Sequence, residues 1–179
     1  MAWARSWLGL ENGAARHSGS IVAPAQPGRA PAAPEHDEEL ARRKRKAQAL
    51  FVAGSPAIIG TPVDLYLAAR GLNLRELPRL PRALRFHPDV WNRDRGAGLP
   101  CMLACVISPA GEFLATHRTW IEEREGIWRK ADVSRPKMVL GSYSGGIIPL
   151  ARGASGLPLQ AAPQGDVEVL AEGIESSLA

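Results

Sequence analysis

The sequence predicts an α+β fold, with helices first and a strand-rich, basic region after them. Three observations carry this. Helix signals stop at Gly71; Pro78, Pro81 and Pro88 then impose extended or turned backbone; and from Ala83 onward the apolar residues fall into short strand-like blocks. A length of 179 residues is about one domain. At 45% apolar residues the chain has enough material for a core, which excludes wholesale disorder. It carries no apolar run of the roughly 18 residues a membrane span needs, and no apolar block of a signal peptide. Two cysteines make no disulfide framework. A cytoplasmic protein with no membrane partner is therefore expected.

The net charge of +4 is too small to name a partner, but it is unevenly spread. Residues 1–37 balance at 0, 38–98 carry +6, 99–153 carry +2, and 154–179 carry −4. A basic middle followed by an acidic end suits a protein that holds a polyanion and presents carboxylates beside it; ordinary scatter is the plain alternative.

The elements follow in order. Trp3, Trp7 and Leu10 recur at helical spacing, so residues 1–10 predict a short helix. Residues 11–36 are rich in Gly, Ala and Pro and predict a disordered linker. The next helix is expected from Asp37 to Phe51, with Asp37, Glu38 and Glu39 at the positive end of its dipole. Its five consecutive cations, Arg42 to Lys46, wind through more than one turn, so one or two should lay their stems along the packed seam. A further helix opens at Thr61-Pro62-Val63-Asp64, with a hydroxyl cap and Pro at the first helical position, and closes at Gly71.

Strands are expected at Leu84–His87, Cys101–Ile107, Glu112–Ile121, Gly126–Ala131, Lys137–Leu140 and Ile147–Leu150, with a turn at Pro109-Ala110-Gly111. Along the strand after that turn, Phe113, Ala115, His117 and Thr119 should face one way, and Leu114, Thr116, Arg118 and Trp120 the other. At the end of the chain, Val167–Ala171 reads as a buried strand leading through Glu172-Gly173 into a short helix.

Few residues suggest chemistry. Cys101 and Cys105 would share a strand face about 13 Å apart, too far to bind one metal, and read as buried apolar cysteines. His87 and His117 lack a third ligand at familiar spacing. Arg118, Lys130 and Lys137 lie in or beside strands near aromatic residues, a pattern able to grip phosphates or a single strand, or simply a charged sheet surface. Glu172 stands where a strand passes into a helix, a position at which α/β folds place ligands and where a carboxylate can bind Mg²⁺ or act as a base.

Taken as an ordered series, these stretches resemble a known family. Val167-Glu168-Val169-Leu170-Ala171-Glu172-Gly173-Ile174-Glu175-Ser176-Ser177-Leu178 is similar to the first strand, catalytic glutamate and first helix of a Toprim (topoisomerase–primase) domain. The string from Gly111 through His117-Arg118-Thr119-Trp120 to Pro136-Lys137 and Leu140-Gly141 resembles the segment before Toprim in DNA primase-like proteins of phages and mobile elements. Gly60-Thr61-Pro62, Tyr66-Leu67, Arg70-Gly71-Leu72 and Leu84-Arg85-Phe86-His87-Pro88 fit the same pattern, and Trp3-Ala4-Arg5-Ser6-Trp7-Leu8-Gly9 looks like the tail after a primase zinc-binding domain.

The resemblance implies an organisation in four parts: a remnant helix at 1–10 following a missing zinc-binding domain, a linker at 11–36, a helical and strand-rich basic subdomain at 37–158, and an incomplete Toprim α/β fold starting at 166–179. It implies a Mg²⁺-dependent nucleotidyltransferase, with Glu172 as the conserved catalytic glutamate, acting as base or as part of the metal site. Arg118, Lys130 and Lys137 would contact single-stranded DNA or nucleotides, and a replicative helicase is a candidate partner. The Asp-x-Asp partners of the Mg²⁺ site and the cysteines of the zinc site are not in this sequence, so the expectation is a fragment that binds template without synthesising primers. The alternatives are a non-catalytic nucleic-acid-binding module, or an unrelated α/β enzyme using Glu172 as base.

Overall fold

The computed structural model describes residues 34–166 and 171–178. The helix expected at 1–10, nearly all of the linker and the strand at 167–170 lie outside the described residues.

Helix α1 spans Pro34–Ala53. It begins three residues inside the expected linker, because proline's fixed φ suits the first turn, where its missing N–H is not needed. None of the five cations Arg42–Lys46 lies along the seam: all are exposed, and Arg42 and Arg43 pair with Glu39 on their own helix. The helix is fastened through Ala47, Leu50 and Phe51, which hold its last two turns to the sheet.

Helix α2 spans Pro62–Ala68. The expected Thr61 hydroxyl cap is not made; that hydroxyl donates backwards to the Ile58 carbonyl at 2.6 Å. Asp64 instead accepts from the Gly60 amide at 2.8 Å, so the first-turn carboxylate ties down the entering chain. Gly71, at φ 80°, reverses the chain as predicted, letting the Leu72 amide reach the Leu67 carbonyl at 3.0 Å.

Five antiparallel strands follow: β1 Leu84–Asn92, β2 Ala97–Ile107, β3 Phe113–Arg124, β4 Ile127–Lys130 and β5 Lys137–Gly141. They form an α+β fold in the order β1-β2-β3-β4, with β5 also paired to β3. Strand β3 thus pairs with β2 on one side, and on the other with β5 over Ala115–Thr119 and β4 over Ile121–Arg124. Strand β1 runs past Pro88 to Asn92, farther than expected, because a bulge between His87 and Val90 accommodates proline on an edge strand. Glu125 and Gly126, at φ 56° and 75°, make the tight turn from β3 to β4. Only Ile147 of the expected strand Ile147–Leu150 pairs, with Ile107; Pro149 cannot donate to a ladder, and Ile148 and Leu150 pack on the core instead. The 3₁₀ turn Leu159–Ala161 and helix α3, Ile174–Leu178, complete the described chain.

The sheet separates two cores. One holds Val63, Tyr66 and Leu67 of α2, Ile174 of α3, and Leu84, Met102, Ala104 and Ile121 of the sheet. The other holds Phe51 of α1 with Val90, Cys101, Leu103 and Trp120. Phe113 belongs to this second side, near Phe51 at a ring distance of 6.5 Å, and not with Ala115. A bulge between Val106 and Ile107 leaves Leu114 without an opposite residue and breaks the simple alternation. From Ala115 onward the alternation holds. Cys101 and Cys105 are free, with the Cys101 thiol pushed up to about 12 by burial, as suits an inert apolar cysteine.

Candidate anion-binding site

The site is a product of strand pairing. Lys137 stands opposite Thr119, and Lys130 opposite Ile121. Thr119 and Ile121 are two apart on one strand, so both lysines rise from the same face, about two strand residues apart. Their stems are two-thirds covered, which brings the ammonium groups in towards the core of α2 and α3.

A single carboxylate lies between them. The Lys137 ammonium donates to Glu175 Oε2 at 3.1 Å, the Lys130 ammonium lies 3.4 Å from Oε1, and the Tyr66 hydroxyl donates to Oε1 at 2.6 Å. The Glu175 side chain is only 11% exposed, and Tyr66 is fully buried. Burial alone would raise the Glu175 carboxyl, but the Tyr66 hydroxyl, its own backbone amide and Lys137 outweigh it and hold the group at about 2. The Tyr66 hydroxyl moves the other way, raised by burial and by the carboxylate that accepts from it. Lys130 is lowered by burial, an effect Glu175 partly offsets.

His117 precedes Thr119 by two residues and shares its face. Burial, then the neighbouring Lys137, lowers it to about 4, so it is neutral at physiological pH. Its Nδ1 and the Thr119 hydroxyl are buried without a hydrogen-bond partner among the described residues. Beside the cluster, Arg70 reaches over the Tyr66 ring at 5.8 Å, and Ala69, Arg70, Glu175 and Ser176 line a shallow depression open to solvent. The arrangement is a set of donors for one oxyanion, currently a carboxylate of the same chain.

The sequence-derived candidates divide between two faces. Lys130 and Lys137 come together as described. Arg118 does not join them: it faces the α1 side, its guanidinium 4.9 Å from the Trp120 ring, half-buried, with Nε unpartnered. His87 and His117 are likewise on opposite faces, since His87 is in register with Cys101 and His117 with Ala104. Glu172 is exposed in the bend before α3 and makes no hydrogen bond or ion pair among the described residues. The acid at the cations is Glu175, three residues on. Its signal was its place between Ile174 and Leu178, an apolar pair that turns the first turn of α3 inward. Tyr66 was legible in the same way, as part of the stripe Val63-Tyr66-Leu67.

The Mg²⁺ that the resemblance implies does not fit these residues. Glu175 is already shared by two ammonium groups and a phenol, Glu172 stands alone, and no group of three His, Cys, Asp or Glu is placed to hold a metal among the described residues.

Fold and site together define an antiparallel-sheet domain with a two-lysine oxyanion site on one face. Residues 41–150 match a family described as a domain of unknown function (DUF7146), and the chain belongs to that family. Tyr66, Lys130 and Lys137 lie inside the matched stretch, and Glu175 beyond it. No curated protein and no solved structure matches the chain. No helix among the described residues is long and apolar enough to cross a membrane.

Proposed function

We propose that this chain is the template- and nucleotide-holding part of a DNA primase-like replication protein of the phage or mobile-element type, working in the cytoplasm on single-stranded DNA. The observation that carries this reading is the convergence of Lys130 and Lys137 on one anion beside a buried tyrosine hydroxyl. Two ammonium groups and a hydroxyl suit a phosphate oxygen as well as a carboxylate. The exposed run Arg42–Lys46 on α1 and the half-buried Arg118 supply further cations on the other face of the sheet, for backbone contacts that need no sequence preference. Primer synthesis, its Mg²⁺ and a helicase partner belong, in this reading, to a longer protein with more carboxylates. A binding module with no catalytic step is the second reading, favoured by the commitment of Glu175 to the two lysines.

The test is binding of a fluorescent oligothymidylate across a salt series. The expected result is a slope of log affinity on log salt near −0.7 per phosphate contacted, with weaker binding by Lys137→Ala and Arg118→Ala. Binding indifferent to salt and to both substitutions would overturn the nucleic-acid reading. Under both versions the chain itself should make no primers with Mg²⁺ and nucleotides; synthesis by a longer protein that contains it separates the two.

A further inference from the structure

We infer that Tyr66, Lys130 and Lys137 form a subsite for a phosphoryl group, and that Glu175 occupies it as an internal substitute which the ligand must displace. This deepens the proposed function and rests on it for the ligand's class. Three donors from α2, β5 and β4 meet at the two oxygens of one carboxylate, at 2.6, 3.1 and 3.4 Å respectively. Three elements distant in sequence thus point hydrogen-bond donors at one place, a geometry that serves a tetrahedral oxyanion as readily as a planar one.

The charge balance supports a phosphate. With Glu175 present, the two ammonium groups and one carboxylate leave +1; with Glu175 withdrawn the donors present +2, and His117, kept neutral by burial, adds nothing. A phosphoryl group carrying up to two negative charges matches the vacated site better than one carboxylate does.

The competing carboxylate is carried by a small element. Helix α3 has five residues, too few to be stable alone, and of these Ile174 is the one fully buried. A tethered carboxylate competes at an effective concentration on the order of millimolar, enough to set a threshold without closing the site. The depression lined by Ala69, Arg70, Glu175 and Ser176 opens directly onto the Glu175 side of the cluster, and gives an entering phosphate a cationic approach past Arg70.

The experiment uses the full chain and two probes: inorganic tripolyphosphate, which has no base or sugar, and oligothymidylate, which offers only diesters. Glu175→Gln should bind tripolyphosphate about tenfold more tightly than the unaltered chain, and adding Lys137→Ala or Tyr66→Phe should remove that gain. A gain confined to tripolyphosphate identifies a nucleotide tail, and one confined to oligothymidylate identifies the template backbone. No gain with either probe, or a gain that survives both added substitutions, overturns the subsite. Because Glu175→Gln could loosen the fold, amide exchange in the unaltered chain provides a second measure. Tripolyphosphate should speed exchange over residues 173–178, and unchanged or slower exchange there contradicts displacement. Oligothymidylate binding that Lys137→Ala weakens, with neither probe gaining from Glu175→Gln, would preserve the proposed function while removing this inference.

Discussion

Arg118 and Lys137 are neighbours across the β3–β5 pairing, yet they serve opposite faces of the sheet. Lys137 is in register with Thr119 and meets Glu175, whereas Arg118 is in register with Met138 and stacks over Trp120. One residue of offset along a strand reverses the face a side chain occupies. Two cations that read as a pair in the sequence therefore belong to different environments.

Their substitutions should accordingly act independently. Arg118→Ala removes a partly desolvated cation–π contact and should lower unfolding stability by about 1 kcal/mol. Lys137→Ala acts through Glu175 instead. Since the two share no hydrogen-bond partner among the described residues, denaturant unfolding of the double variant should give the sum of the single effects within about 0.5 kcal/mol. A larger coupling would mean that the faces communicate through the strand.

Acid should destabilise the domain in two successive windows. His117 titrates at about 4 in the fold against an ordinary 6.5, so the unfolded chain binds the extra proton between those values and stability falls as pH drops through them. Glu175, held at about 2 against an ordinary 4.5, likewise loses its contribution as pH falls from 4.5 towards 2. Unfolding midpoints measured from pH 8 to 3 should decline in both ranges. His117→Gln should flatten the upper decline, and Glu175→Gln the lower.

Gly141→Ala should be among the most costly single substitutions. Gly141 has φ 107°, a region open to glycine and hostile to a side chain, and a Cβ there would stand 2.7 Å from the Leu114 carbonyl oxygen. Strain and clash together should cost about 2 kcal/mol or more, read as a lower unfolding midpoint. The β3–β5 pairing should loosen with it, and with that the seat of Lys137.

The docking of α1 on the sheet depends on a buried hydroxyl. Thr116 donates to the Ala47 carbonyl at 2.7 Å from the centre of β3. Thr116→Val keeps the shape and deletes the donor, so a loss of about 1 kcal/mol is expected, with Thr116→Ser recovering part of it. Equal stability of Val and Thr at this position would show that packing by Phe51 and Leu50 suffices.

Much of the architecture was legible from local pattern. Proline at the start of a helix, glycine at its end, the turn at Pro109-Ala110-Gly111 and the alternation from Ala115 onward are rules acting within a few residues, and the structure follows them. Where prediction failed, the deciding contact was distant or the local count was broken. Pro88 was accommodated by a bulge on an edge strand, and Phe113 changed face because an extra residue entered β3. The cations of α1 stayed in solvent because only its last two turns meet the sheet.

By itself, the sequence determined the class of fold, the order of most of its elements and the candidacy of Lys130, Lys137 and Arg118, because periodicity and turn chemistry are short-range. Only the tertiary structure decided which cations meet and which acid they meet. Lys130 and Lys137 come together because β4 and β5 share one edge of β3, and Tyr66 and Glu175 reach them from segments 109 residues apart. No local pattern encodes that meeting: it follows from the register of β3 with β4 and β5, and from the burial of Ile174 that seats α3 against the core.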